Sequence, residues 1–334
     1  MAEIVLGIGT SHGPMLSTPP EQWGLRAEAD RRNRQHAFRG RTYDYEALLR
    51  ERGPVFEKEI GPEVWSSRHA RCQRALDVLA EKLDEAAPDV AIVVGNDQRE
   101  IFGEDLTPAI TLYRGAGIEN IPSTAEERAR MGPGIAIAEQ GHCPPEGAIY
   151  DGAPELASHL IRTLVAEEFD VAQASSLGGR GIPHAYGFVY RRILRDAPPA
   201  SIPVILNVGY PFNRPTLRRC LALGRALDQA ISAWDGPERV ALIASGGLTH
   251  FVIDEELDRR VLDALERADE DAIAALPEDL FQSGTAEIKN WLPVAAAMNA
   301  CGRRFHLVDY VPCYRSQAGT GNAMGFACWE SSRS

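Results

Sequence analysis

Three short apolar runs in this chain break off at glycine, and that repeated pattern constrains the fold more than any other feature. Ile4–Ile8 stops at Gly9, Val90–Val94 stops at Gly95, and Val240–Ala244 runs into Ser245-Gly246-Gly247. Continuous apolar runs of this length read as buried strands. Ile202–Val208 reads the same way, Val171–Ala174 is a shorter candidate, and Phe305–Gly325 holds a last strand with a Gly-rich turn. Between these runs the period changes to that of helices. Ala75, Leu76, Leu79 and Leu83 mark one over Arg68–Glu85. Others are expected over Glu155–Glu167, Arg214–Ala233, Asp254–Ala268, Asp271–Leu276 and Gly284–Ala300. Strands alternating with helices place the chain in the α/β class.

With 334 residues, 44% of them hydrophobic, one large core is affordable. The expectation is a single α/β catalytic domain over residues 1–330, interrupted by an inserted lid or oligomer arm at about 16–64. That insert carries Pro19-Pro20, the basic run Arg31-Arg32-Asn33-Arg34, the aromatics Phe38, Tyr43 and Tyr45, and a short helix at Glu46–Arg52. Residues 115–150, rich in Gly, Pro and Glu, read as an excursion over the surface.

Lys and Arg total 35 against 47 Asp and Glu, a net charge of −12. Such a balance argues against nucleic acid and against an anionic membrane as partners. Six scattered cysteines without C-x-x-C spacing read as reduced thiols in a cytoplasmic protein. No uncharged apolar run approaches the ~18 residues of a membrane span, and the first residues lack the basic leader of a signal peptide.

Polar residues gather just past the strand ends: His12 in Gly9-Thr10-Ser11-His12-Gly13, Asp97-Gln98, His184, and His250 in Ser245-Gly246-Gly247-Leu248-Thr249-His250. Open α/β sheets bind ligands outside the carboxyl ends of their strands. Glu287, in Thr285-Ala286-Glu287-Ile288-Lys289-Asn290-Trp291, adds a carboxylate in what reads as the first turn of a helix. A plain reading makes Glu287 a dipole-compensating residue, with Lys289 and Asn290 on the surface and Trp291 in the core. Two histidines and a carboxylate on one face of a divalent cation suit non-haem Fe(II) chemistry with O₂. Two other readings are weaker. Ser245 lacks the G-x-S-x-G frame of a nucleophile elbow. Gly7-Ile8-Gly9 has no helix directly after it, as a dinucleotide fingerprint requires, so its glycines are expected to let the backbone turn beside a ligand.

Taken in order, Ser-His-Gly after the first strand, Asn-Asp-Gln after the second, Ser-Gly-Gly-Leu-Thr-His late and then Ala-Glu-Ile-Lys-Asn-Trp, the chain resembles the class III extradiol ring-cleavage dioxygenases. This is the superfamily of the catalytic subunit of protocatechuate 4,5-dioxygenase. The resemblance covers residues 3–15, 88–102, 170–190 and 200–328. It implies a mixed central sheet flanked by helices, and Fe(II) that cleaves a catechol-type aromatic beside its hydroxyls with O₂. His12 matches the first metal ligand and Glu287 the third. Gln98 stands where the family has its second histidine ligand, with His69 an alternative for that slot. His250 matches the catalytic histidine. A second catalytic role falls to His184 or Arg180. Tyr186, Phe188, Tyr210 and Phe212 are candidates to face the ring, and Arg26, Arg31, Arg32 and Arg34 to pair with a substrate carboxylate. A small aromatic diol and O₂ are the implied partners, in a homo-oligomer or in a hetero-oligomer with a related subunit. The alternative is a metal-free, non-catalytic partner subunit, motivated by Gln98. A hydrolase built on Ser245 is a further rival.

Overall fold

The computed structural model describes residues 1–331. The chain opens with strand β1 (Glu3–Thr10) and then enters the insert, which holds helix α1 (Trp23–Arg32), the hairpin β2 (His36–Phe38) and β3 (Arg41–Tyr43), and α2 (Tyr45–Arg52). Helix α3 (Pro62–Ala86) leads to β4 (Val90–Asn96) and β5 (Ile110–Tyr113). The excursion that follows is a second hairpin, β6 (Gly117–Asn120) with β7 (Ala148–Asp151), around the small helix α4 (Ala125–Arg130). Next come α5 (Pro154–Ala166), β8 (Ala172–Ala174), α6 (His184–Phe188), β9 (Ala200–Leu206) and α7 (Leu217–Ser232). The chain closes with β10 (Arg239–Ser245), β11 (His250–Val252), α8 (Glu255–Glu266), α9 (Glu270–Ala274), α10 (Trp291–Ala300), β12 (Arg304–Tyr314) and β13 (Thr320–Glu330).

Nine strands form one mixed sheet, ordered β11-β13-β1-β10-β4-β9-β5-β8, with β12 on the other side of β13. Its centre is parallel: β1 beside β10, β10 beside β4, β4 beside β9. These four strands are buried on both faces, which explains why they read as unbroken apolar runs. Alternate side chains feed two cores. Ile92, Val94, Leu242 and Ala244 join α5, α7, α8 and α10 on one face. Ile8, Ala91, Val93, Ala241 and Ile243 join α3 and α6 on the other. Because the central strands run the same way, the ends of β1, β10 and β4 share one edge, with Thr10 paired to Ser245 and Ala244 to Val94. His12, Gly246 and Gln98 leave the sheet there.

Two expectations need correction. Glu287 does not sit in the first turn of an α-helix. Ser283–Asn290 is a 3₁₀ stretch, and α10 begins only at Trp291. This stretch passes close against His250: an ideal Cβ on Gly284 would lie 2.2 Å from His250 Cδ2, so only glycine fits there. Likewise Gly9 borders packing and not a ligand, since a Cβ there would come 2.6 Å from the Trp291 ring.

The insert folds back onto its own chain. Trp23 is buried and donates from its indole to the Met15 and Thr18 carbonyls. Leu48 packs with Val252 of β11. Arg39 pairs with Asp254 at 2.5 Å, and Arg52 donates to the Ile253 carbonyl at 2.7 Å. Most decisive is Asp30, which takes two hydrogen bonds, at 2.7 and 2.9 Å, from the fully buried Arg315. A buried pair of this kind fixes α1 against the closing hairpin, because removing either partner would strand a charge.

Candidate active site

A cavity of about 850 Å³ opens at the sheet edge, and His12, Gln98, His184, His250 and Glu287 all line it. At its base is Glu287, almost wholly buried. Its Oε1 accepts from Gln98 Nε2 at 2.7 Å and lies 3.4 Å from Asn96 Nδ2. Its Oε2 accepts from the Gly247 amide at 3.0 Å. Two imidazoles approach that same Oε2, His12 Nε2 at 3.4 Å and His250 Nε2 at 3.5 Å.

The hydrogen bonds behind those rings determine what faces Glu287. Ser245 Oγ donates its proton to the Ala185 carbonyl at 2.6 Å. It therefore accepts from His12 Nδ1, 3.0 Å away. His250 Nδ1 likewise donates to the Leu248 carbonyl at 2.7 Å. When neutral, both rings thus turn an Nε2 lone pair toward a carboxylate oxygen. Such a trio repels itself unless a cation, a proton or a metal, neutralises it. Burial alone would raise the Glu287 carboxyl. The charges of His12 and His250 and their hydrogen bonds outweigh it and hold Glu287 well below the usual carboxylate range. Burial would depress His250, yet Glu287 prevails and raises it.

The backbone around this cluster is fixed by Asn290 and Lys289, which the plain sequence reading places on the surface, and by Trp291, which it places in the core. Asn290 is buried and donates to Asn96 Oδ1 and to the Ser245 carbonyl, both at 2.8 Å. Lys289 is also buried, with its ammonium on Glu278 at 2.7 Å and on the Pro215 carbonyl at 2.9 Å. The Trp291 indole donates to the Gly246 carbonyl at 2.8 Å. Asn290 and Trp291 thus tie the end of the 3₁₀ stretch to the ends of β4 and β10, and Lys289 ties it to the segments at Pro215 and Glu278.

His184 stands beside this cluster, its ring centroid 5.0 Å from that of His12. It hydrogen-bonds Glu100 Oε1 through Nδ1 at 2.8 Å, and its amide donates to Glu100 Oε2 at 2.9 Å. Burial would lower this imidazole, but the Glu100 charge lifts it to about 9. His142 packs 5.8 Å from His184 and goes the other way, depressed to about 4 by burial and then by its charged neighbour. Neither Glu100 nor His142 was picked out from sequence. Glu100 stands two residues past Gln98, a spacing that offers a signal. His142 lies in the excursion, where no periodicity points to it.

Several candidates are not brought to the cluster. His69 lies in α3, its Nε2 3.2 Å from Gln73 Nε2 and its ring against Trp23, and it does not line the cavity. Arg180 lines the cavity, as His184 does, and donates to the Ile101 carbonyl. Ser245 is fully buried and holds no proton for a base to take from the cavity side, which removes the hydrolase reading. Of the four aromatics, Phe188 lines the cavity. Tyr186 is core, its hydroxyl on the Val204 carbonyl at 2.9 Å. Tyr210 lies under the Arg99 guanidinium, and Phe212 is fully exposed. Among the basic candidates in the insert, Arg26 lines the cavity, whereas Arg31, Arg32 and Arg34 face solvent.

Residues 59–321 match the family described as the catalytic LigB subunit of aromatic ring-opening dioxygenase. The chain belongs to this family. It is 30% identical over 190 residues to a gallate dioxygenase of Pseudomonas putida, an alignment that takes in 53% of this chain and 54% of that protein. The match therefore spans about half the length of that relative. A solved structure of an uncharacterised Escherichia coli K12 protein aligns over 97% of this chain and 99% of its own, at 13% identity and a TM-score of 0.47. Among the described residues no helix is long and apolar enough to cross a membrane. Among the same residues no three His, Cys, Asp or Glu side chains form a group that holds a metal ion.

Proposed function

We propose that this protein is an extradiol ring-cleaving dioxygenase, acting on a catechol-type aromatic with O₂ at Fe(II) held by His12, Glu287 and Gln98. Family membership supports ring opening. The single observation that supports the metal is the approach of the His12 Nε2 lone pair to Glu287 Oε2 at 3.4 Å, with His250, which is assigned to proton transfer, 3.5 Å from the same oxygen. That donor set, nitrogen and carboxylate oxygen at a cavity base, fits a divalent transition metal. Gln98 is the weak member. The end now facing Glu287 is its NH₂ group, a donor, and only the carbonyl end of the amide can bind a cation.

Bound there, Fe(II) would acidify a ring hydroxyl and bring diol and O₂ together. The chain's own residues do the rest. His250 is the proton acceptor for the second hydroxyl, with its ring orientation set by Leu248, and later returns the proton to oxygen. His184, kept cationic by Glu100, donates a hydrogen bond to developing negative charge beside His12. Phe188 supplies an apolar wall to the ring.

Gln98 also favours a second reading, a metal-free partner subunit of such a dioxygenase. Anaerobic Fe(II) loading followed by metal analysis and oxygen uptake with a panel of catechols separates the two. About one iron per chain with oxygen uptake is the expected result, lost in His12→Ala. Gln98→His should then retain iron at least as well through the same loading and desalting. Absence of iron and of oxygen uptake in the wild-type protein would leave the partner-subunit reading standing.

A further inference from the structure

His250 stands on a short strand at one end of the sheet. β11 pairs with β13, His250 opposite Asn322, Phe251 opposite Gly321 and Val252 opposite Thr320. Among the described residues no strand pairs with its other edge. Thr285 adds two long bonds to the His250 backbone, at 3.1 and 3.3 Å. An edge strand of this length depends on contacts from outside the sheet.

The insert supplies those contacts. β2 lies beside β11, Leu48 packs with Val252, and Arg52 donates to the Ile253 carbonyl at 2.7 Å. Arg39 reaches one residue further. Its Nε and Nη2 fork onto Asp254 Oδ2 and Oδ1 at 2.5 and 2.7 Å, and Nη2 also meets Glu256 at 2.7 Å. Asp254 is joined back to the residue before His250, because its amide donates to Thr249 Oγ1 at 2.8 Å. Thr249 in turn is anchored on the buried Asp258 by its amide and its hydroxyl, at 2.8 and 2.7 Å. Residues 249–254 therefore form a closed loop with His250 inside it, and Arg39 grips that loop at its far end.

The hairpin turn holds this arginine in a strained place. β2 and β3 pair Phe38 with Arg41, which leaves Arg39 and Gly40 as a two-residue turn with φ of 49° and 75°. The first position of such a turn favours Asn, Asp or Gly, since other side chains are strained at positive φ. The tip is also docked: a Cβ on Gly40 would lie 2.7 Å from Asp279 Oδ2. Strain at Arg39 persists because its fork is fixed on a carboxylate that is itself largely buried. Arg39 is half exposed, so the pair adds little stability. What the fork determines is position. Arg39 does not line the cavity, and it reaches the chemistry only through Asp254 and Thr249.

We infer that Arg39 is a positioning residue for His250, and that the insert is a clamp on the strand that carries this histidine. The clamp is contributed by residues ahead of the family-matched 59–321. The role of His250 rests on the ring-cleavage reading, whereas the clamp does not.

The test follows the His250 Nδ1 proton, which is donated to the Leu248 carbonyl, by NMR of protein with isotope-labelled histidine and no added metal. Its signal is assigned by its absence in His250→Gln. The His12 Nδ1 proton, held by Ser245, is the internal control. Arg39→Met should speed exchange of the His250 proton with water by about tenfold and leave that of His12 within about twofold. Arg39→Lys keeps the charge without the fork and should fall between Arg39→Met and wild type. It carries the test on the same two protons if Arg39→Met does not fold. Glu256→Gln leaves the grip on Asp254 intact and should behave as wild type. After anaerobic iron loading, Arg39→Met should lose about tenfold in kcat, with KM and iron content within about twofold. Unchanged exchange at His250, equal acceleration at His250 and His12, or a wild-type kcat in Arg39→Met would overturn the proposal. Faster exchange at His250 alone, with no oxygen uptake from any diol in the wild type, would uphold the clamp and sink the ring-cleavage reading alone.

Discussion

The floor and the roof of the cavity are held together in opposite ways. The floor grows from strand ends, and its polar groups hold one another in place: Glu287 with Gln98 and Gly247, His12 with Ser245, His250 with Leu248, and Asn290 through its amide nitrogen with Asn96, its Oδ1 being left without a partner. The roof comes from the insert and the excursion, and it leaves Arg26 without an acid. A surface whose groups hold one another in place is positioned in advance for chemistry. Under the proposed function, the reaction falls to the floor.

The sharpest way to break this division is Glu287→Gln. It preserves shape but removes the charge on which both imidazoles converge, and it places a donor or a neutral oxygen between them. Outer partners of metal ligands are typically worth 10–100-fold, so the ligand itself should cost on the order of a thousandfold in oxygen uptake, together with loss of bound iron. Iron content and initial rates on the same sample check this. Activity within tenfold of wild type would remove Glu287 from the chemistry.

A second contrast concerns what the floor costs in stability. Asp258 is fully buried beneath the His250 turn, accepting from the Thr249 amide at 2.8 Å, and from the Thr249 and Tyr310 hydroxyls, both at 2.7 Å. Burial outweighs these bonds and pushes the carboxyl from 3.8 up to about 7. Between those two values the folded chain keeps a proton that the unfolded chain has lost. Stability from this group therefore falls as pH rises from about 4 to about 7, then levels off. Asp258→Asn does not titrate and should flatten that decline. Melting temperatures at pH 5 and pH 8 check this: the difference should be several degrees smaller in the variant. The same difference in both proteins would show that Asp258 ionises normally.

How much of this was legible in sequence follows from the same contrast. The parallel strands of the floor announce themselves because burial on both faces demands unbroken apolar runs, and β4 and β10 fall where those runs lie. His12 and His250 could be read from their place just past such runs. Glu287 is legible as a candidate carboxylate, but its stretch reads as α where the structure has 3₁₀, because the periodicity around Ile288 and Trp291 carries no trace of the close passage of Gly284 by His250. Lys289 and Asn290 looked like surface residues since their partners, Glu278, Asn96 and Ser245, are distant in sequence. The roof was harder still. Its two hairpins and short helices carry no long period, so the apposition of Arg26 with residues 132–134, more than a hundred positions away, leaves no local trace.

The smallest expected effect tests whether charge in the insert matters in general or only where it grips another part of the fold. Arg31, Arg32 and Arg34 lie within eight residues of Arg26 and are equal candidates by composition, but Arg31 and Arg32 at the end of α1 and Arg34 just past it are exposed to solvent. Arg32 makes only an exposed pair with Glu28 one helical turn away. Exposed pairs of this kind contribute a few tenths of a kcal/mol, and screening over about 10 Å at ordinary ionic strength mutes their reach into the cavity. The triple variant Arg31→Ala, Arg32→Ala, Arg34→Ala should therefore change stability by less than about 1 kcal/mol. Its oxygen uptake after iron loading should match that of wild type. A loss comparable to that expected of Arg39→Met would mean that the insert acts on the cavity by diffuse positive field, with no fixed contact, and the contrast between a floor fixed by direct contacts and a roof charge left without an acid would fail.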